Sequence, residues 1–376
     1  MPRGLTAERV RQDVDVVARA GLDLDTFLEE AVESVGRAVP WVAACLATHD
    51  PGSHLLTSAR KYGHLRAINS HDHEFGLIEY GTVEPTAFQE LARAEVPAAG
   101  VHLVHGGDIE RSGRMSTFMV PRFGFGDEAR LVFRDGNQAW GAMALFRGAD
   151  DHFDDDEIAL LASLSTQFAR GVRTGMLSRL AAASAPTAPS GPAVLIVGVD
   201  DDVVQMSVGA EARIADLITG EAAGDPLTPV SALVGAARRY ARGETSAPPR
   251  SRVRGTSGMW LVLHAAPLTS FGDRDGDVVV TIEEARPPEI VALVVAAFDL
   301  TGRERDVTQL VLQGVDTKEI AATLHVSTYT VQDHLKSVFE KADVRSRREL
   351  ISRIYFDQYV PRMGTELGPS GWFSAS

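Results

Sequence analysis

Cysteine is nearly absent. Cys45 stands alone and cannot form an internal disulfide, which excludes the stapled frameworks of small secreted domains. Long apolar runs are missing as well: the longest, Ile290 to Phe298, falls far short of the roughly 20 residues that cross a bilayer. The start, MPRGLTAERVRQD, lacks the apolar stretch of a secretory signal. These absences point to a cytoplasmic chain with no membrane partner. Lysine is scarce too, with none between Lys61 and Lys318. That gap excludes a P-loop there, because G-x-x-x-x-G-K-[ST] needs its lysine to hold phosphates. Neither G-x-S-x-G nor H-E-x-x-H occurs, so the serine-nucleophile and zinc-protease signatures are missing.

What is present is ordinary globular chemistry on 376 residues, long enough for two or three domains. Apolar residues make up 44% and charged residues 23%, which excludes disorder along the whole chain and a fibrous or collagen-like one. The net charge of −14 argues against a surface that binds nucleic acid everywhere. Its distribution is uneven, however. Between Asp299 and Arg362 basic and acidic residues balance, so the rest of the chain carries the entire excess, and Lys318, Lys336 and Lys341 fall in the balanced segment. That segment is electrically a separate unit.

Composition also marks boundaries. AAASAPTAPSGP at 181–192 is small, proline-rich and aperiodic, and reads as an exposed linker. Pro287 and Pro288 end a strand-like run and open a connecting helix over 287–298. Within residues 1–180, Leu24–Val39 has helical spacing, Trp41–Thr48 is strand-like, and two strands flank Asp135-Gly136-Asn137. After the acidic HFDDDE, one long helix is expected to Leu180, carrying Ile158, Leu161, Leu164, Phe168 and Val172. This order resembles an α+β GAF sensory domain. Residues 193–286 read as two strands around Asp200–Asp202, then the helical EARIADL and SALVGAARRYARG, then the strands MWLVLHAAPL and DVVVTIEEA. That order is similar to an α+β PAS domain.

The segment 299–362, followed by a tail over 363–376, carries the densest signals. Thr301-x-x-Glu304, Asp316-x-x-Glu319 and Ser346-x-x-Glu349 each place a capping oxygen at a helix start and a carboxylate three residues on. Ser327 is a fourth cap, and Gly314 a stop after the first helix. The apolar residues sort inward as Val307, Leu310 and Val311; Ile320, Ala321 and Leu324; Val331, Leu335 and Val338; Leu350 and Ile354. An all-α domain of four helices is predicted, with a three-residue turn joining helices two and three. Such a turn lets the earlier helix brace on phosphates while the next enters the major groove, where base edges are distinguishable.

Taken together, LTGRE, Gly314, KEIAATL, Ser327, Thr330-Val331, His334-Leu335-Lys336, Lys341 and VRSRREL resemble the DNA-binding domain of LuxR-type (NarL/GerE-like) bacterial transcriptional regulators. The resemblance implies a sequence-specific regulator that binds double-stranded DNA at an inverted repeat as a homodimer. It implies base reading by Gln332, Asp333 and Lys336, with Lys318, Ser327, Thr328, Thr330, Val331, His334 and Arg347 touching phosphates or bracing the motif. The chemistry agrees: an amide suits an adenine edge, a carboxylate accepts from cytosine N4, and an ammonium reaches guanine or phosphate. Asp333 keeps a second reading as a solvated or arginine-paired carboxylate. Lys318, Arg347 and Arg348 keep one as ordinary helix-surface charge. The resemblance further implies that the last helix pairs two subunits through Ile351, Tyr355 and Phe356; the helix ending at Leu180 is a second candidate surface.

GVDDDV at 198–203 superficially resembles the acidic pocket of a receiver domain, but the lysine such a domain needs is missing from the gap. Seven of the eleven histidines fall between His49 and His105, including His71-Asp72-His73 and His102-x-x-His105 near Asp108. Their spacing matches no closed zinc pattern, so no metal, cofactor or catalytic residue is assigned. The sensory resemblances imply a small-molecule effector that no residue identifies. The alternative is a metal- or ligand-dependent sensor or enzyme to which the DNA-binding domain is an accessory.

Overall fold

A computed structural model of the chain describes residues 3–178, 191–217, 225–269 and 276–355. The first part carries helices α1 (Arg3–Arg19) and α2 (Leu24–Gly36), strands β1 (Ala43–His49) and β2 (Leu56–Gly63), and helix α3 (Asp72–Gly81). Short turns of helix α4 (Phe88–Leu91), α5 (Val101–Val104) and α6 (Val120–Phe123) surround strand β3 (Ala98–Gly100). The hairpin β4 (Asp127–Asp135) and β5 (Gln138–Arg147) follows, then α7 (Asp155–Ser163) and α8 (Ser165–Ser178). The strands form an antiparallel sheet in the order β2-β1-β5-β4-β3.

Successive strand residues point to opposite faces, and here the two faces differ in size. Leu46, Leu131, Phe133, Met143 and Leu145 pack with Val14 of α1, Phe27 of α2 and Phe168 of α8. The other face presents Ala43, Ala142 and Ala144 to the segment between β2 and β4. Helix α1 escaped the sequence reading because its buried Val10, Val14 and Ala18 are scattered among charges. The single closing helix expected to Leu180 is instead two. Ser165 Oγ donates to Val132 O (2.7 Å) and accepts from Arg134 N (2.9 Å), tying the chain to β4 where the helix breaks. Leu180 and linker residues 181–190 lie outside the described residues.

The second part forms β6 (Ala193–Val197), β7 (Val203–Met206), α9 (Ala210–Asp216), α10 (Thr228–Ala241), β8 (Arg250–Arg254), β9 (Trp260–Pro267) and β10 (Val278–Glu284). This sheet is also antiparallel, in the order β7-β6-β10-β9-β8, so it repeats the strand order of the first. Strand β8, RSRVR, was missed because arginine hides its alternation. An ion pair holds the sheets to one another: Arg252 donates to both oxygens of buried Asp50, from Nη2 at 2.6 Å and Nε at 2.8 Å.

The chain ends, among the described residues, in α11 (Pro287–Ala297), α12 (Gly302–Leu312), α13 (Thr317–Leu324), α14 (Thr328–Lys341) and α15 (Arg347–Tyr355). One cluster runs from the first sheet through Trp260 and Ala285 to Ile290 and Leu293 of α11, and on to Val307 and Leu350. The reason is α11, which is apolar nearly all round and finds cover from neighbours on several sides. No helix among the described residues is long and apolar enough to cross a membrane.

Candidate nucleic-acid interface

Two caps set the helix pair that faces solvent at the C-terminal end. Asp316 Oδ1 accepts from Glu319 N (2.9 Å) and starts α13; Ser327 Oγ accepts from Thr330 N (3.0 Å) and starts α14. Between them His325 takes a left-handed conformation (φ 55°) that ends α13 and swings the chain into the three-residue turn. Gly314, at φ 82°, does the same after α12, with Val315 N donating back to Leu310 O (3.0 Å). Beneath the pair, Val307, Val311, Ile320, Val331, Leu335, Val338 and Leu350 are buried.

A polar brace fixes α14 from behind. Buried Glu304 accepts from Ser337 Oγ (2.6 Å), Lys341 Nζ (2.7 Å) and Thr301 N (2.7 Å). Burial pushes its carboxyl up, but the Lys341 ammonium, the Ser337 hydroxyl and the Thr301 amide outweigh burial and hold it at about 2, below its ordinary 4.5. A depressed carboxylate stabilises the fold when ionised, so this contribution is complete above about pH 5 and fades as pH falls through 4.5 toward 2. Lys341→Met is expected to cost about 1 to 3 kcal/mol at pH 7 and to flatten the acid limb of stability. Urea melts at pH 7 and pH 4 measure both; an unchanged acid limb would count against the brace.

Residues 299–354 match the family described as bacterial regulatory proteins, luxR family. The spore germination protein GerE of Bacillus subtilis (strain 168) is 40% identical over 52 residues, covering 14% of this chain and 70% of that protein. The chain belongs to the LuxR family. The monoamine regulon transcriptional regulator of Klebsiella aerogenes is 41% identical over 56 residues, 15% of this chain and 25% of that protein. Transcriptional regulatory protein DesR of Bacillus subtilis (strain 168) is 40% identical over 67 residues, 18% of this chain and 34% of that protein. The chain thus spans between a quarter and about a third of the length of these two relatives. Among solved structures, the A. Aeolicus nlh2 gaf domain aligns with a TM-score of 0.27 at 12% identity, covering 47% of this chain and 98% of that one. A Vibrio cholera VqmA-ligand-DNA complex aligns at 0.24 and 17%, covering 46% and 85%.

In the LuxR-type domain, Thr328, Gln332 and Lys336 recur every four residues along the exposed face of α14, and Asp333 lies beside them. Asp333 forms no ion pair among the described residues, and Lys318 is exposed on α13. Tyr329, 77% exposed on the same face, was missed by the sequence reading. Its place one turn before Asp333 was the available signal. Three of the expected residues make contacts that brace the motif. Val331 is wholly buried and seats the helix from inside, because its position falls on the inward face. Thr330 Oγ1 lies 2.9 Å from Ser327 Oγ and supports the cap. Arg347 donates to Val315 O (2.8 Å) and Thr317 Oγ1 (3.4 Å), so its guanidinium clamps α15 to the start of α13. His334 is half-buried, as are Ile351 and Tyr355 of α15, a helix that packs on α11; Phe356 lies outside the described residues.

The histidines are dispersed among other tasks. His49 is buried against Phe88, with ring centroids 5.7 Å apart, and His102 stacks on His152 at 3.8 Å. No group of three or more His, Cys, Asp or Glu fit to hold a metal occurs among the described residues.

Proposed function

We propose that the chain is a cytoplasmic regulator of transcription that acts by binding rather than by catalysis, as a homodimer on an inverted-repeat operator. The observation that carries this reading is the polar face of α14: Thr328, Gln332, Asp333 and Lys336 stand clear of a helix fixed by buried Val331 and Leu335. Gln332, Asp333 and Lys336 read bases; Lys318, Ser327 and Thr328 contact phosphates, with Tyr329 beside them. Residues 1–180 act as a GAF-like sensory domain and 193–286 as a PAS-like one, joined by the linker at 181–192. The connecting helix 287–298 leads to the DNA-binding domain at 299–362, with the tail at 363–376. The repeated strand order of the two sheets supports a pair of related sensory modules.

Two half-sites are needed because one recognition helix buries little surface against genomic competition. Ile351 and Tyr355 of α15, both half-buried, supply the pairing face. The sensory domains also hold the entry to the DNA-binding domain, where Asp299 Oδ1 accepts from Arg173 Nη2 of α8 (2.7 Å). An effector changes DNA affinity by preferring one placement of α11.

The test is fluorescence anisotropy of the full chain on operators selected from genomic fragments. Lys336→Ala is expected to weaken specific binding by about 1 to 3 kcal/mol, while Arg66→Ala, an exposed cation of the first domain, leaves it unchanged. Equal losses from both substitutions mean that binding is a global charge effect and defeat the assignment.

A further inference from the structure

Beneath α3 lies a cavity of about 50 Å³ that opens to solvent at one end. It arises from side-chain size. Along its floor the strands present the short Cys45, Ala47, Ala59 and Ala144 beside Leu56, Lys61 and Phe146, while the facing walls are the rings of Phe75, Phe88, Phe118 and Phe123. Short chains facing flat rings leave a slot. Ile68, His71, Phe75 and Phe123 keep partial exposure at the rim, so the slot opens to solvent.

The charges in its wall cancel. Buried Lys61 donates to Ile68 O, Asn69 Oδ1 and Asp72 Oδ1, which engages all three ammonium protons. Burial pushes the Cys45 thiol up to about 12, so it stays neutral. The His71 imidazole makes no hydrogen bond among the described residues; its ring stands edge-on to Phe118 and Phe123, and Nδ1 lies 3.9 Å from Glu74.

Helix α3 is also docked onto the second sheet domain. Asp72, whose Oδ1 faces Lys61, accepts from Asp225 N through Oδ2 (2.9 Å). His73 reaches Ser231 Oγ at 2.6 Å and Asp201 O at 2.8 Å. The two helices approach on small residues: a Cβ on Gly76 meets Ser231 Cβ at 2.9 Å, and one on Gly235 meets Gly81 N at 2.9 Å. Movement of α3 therefore reaches α10 without an intermediary.

We propose that this slot is an effector site for a neutral molecule with a single aromatic ring and one hydrogen-bonding group set against His71, and that α3 reports its occupancy to α10. The proposal rests on reading the N-terminal domains as sensory. A ring matches the surrounding phenylalanines. Neutrality follows because a charged ligand surrenders its hydration in a wall that offers it no unpaired counter-charge.

Calorimetric titration of the full chain with phenol, toluene and benzoate tests the site. Phenol is expected to bind once per chain, at least tenfold more tightly than benzoate. Ala144→Phe, which fills the slot, removes binding; His71→Ala, at the rim and outside the core, weakens phenol at least fivefold and leaves toluene unchanged. Phenol also slows amide hydrogen exchange over residues 225–235. Benzoate binding as tightly as phenol, or phenol affinity untouched by both substitutions, overturns the site. Binding without any change over 225–235 overturns the coupling. None of these measurements uses DNA, so their failure leaves the DNA-binding reading standing. Phenol binding with DNA affinity unaltered defeats the sensory reading while the site remains.

Discussion

A Val331→Asp variant is expected to lose DNA binding although the side chain it changes is fully enclosed. Val331 is buried in the core of the DNA-binding domain with Val307, Ile320 and Val338, one residue before the exposed Gln332. A carboxylate there has no partner and cannot reach water without moving α14, so the expected cost is about 3 to 5 kcal/mol, enough to melt a small helical domain. Gln332→Ala is the contrasting case: it leaves stability within about 0.5 kcal/mol and weakens specific binding by about 1 to 3 kcal/mol. Hydrogen exchange over α12–α15 and anisotropy on the operator separate the two. A Val331→Asp chain that keeps its exchange protection and its affinity would refute the placement of α14.

Arg114→Ala is expected to cost the first domain a comparable amount. Arg114 donates from Nε (3.0 Å) and Nη2 (2.8 Å) to Glu128 Oε2, from Nη1 to Glu84 Oε2 (3.2 Å), and from Nη2 to Thr86 Oγ1 (3.0 Å). Its neighbour Arg130 donates to Glu79 Oε2 (2.7 Å) and to Thr86 O (2.8 Å) and covers the Phe88 ring at 3.6 Å. Truncating Arg114 leaves buried carboxylates short of a counter-charge, and the expected loss is about 3 to 5 kcal/mol. Burial raises the Glu84 carboxyl pKa, but Arg114 and its hydrogen bonds hold it below its ordinary 4.5. The stability it contributes is therefore present at neutral pH and fades as pH falls below that ordinary value. Arg114→Met combined with Glu128→Leu is expected to recover part of the loss, since it removes the carboxylate that Arg114 bonds twice while Arg130 still faces Glu79. Urea melts decide it, and a loss under about 1 kcal/mol for the single substitution would show the network to be dispensable.

The amino-acid sequence alone determined most of the DNA-binding domain. The caps at Thr301, Asp316 and Ser327, the stop at Gly314 and the inward set from Val307 to Ile354 are written in neighbouring residues, because a cap or a helical face is decided within a few positions. In the N-terminal two-thirds, local pattern located α2, β1, the hairpin at Gly136-Asn137, the helix after HFDDDE, and β6, β7, α9, α10, β9 and β10, but not how these elements pack together. Helix α1 and strand β8 went unread because arginines and acids interrupt their apolar rhythm. Only the tertiary structure decided what distant partners decide. Ser165 breaks a continuous helical pattern because Val132 lies across from it. Lys61 is a buried counter-ion because Asp72 folds over it. Arg347 serves the fold because Val315 O comes within its reach. Helix α11 joins two sheet domains and the DNA-binding domain into one core because each leaves part of its apolar surface uncovered there. Periodicity says which face of an element is apolar, whereas the partner that covers it depends on contacts between residues far apart in the chain, which short-range spacing does not encode.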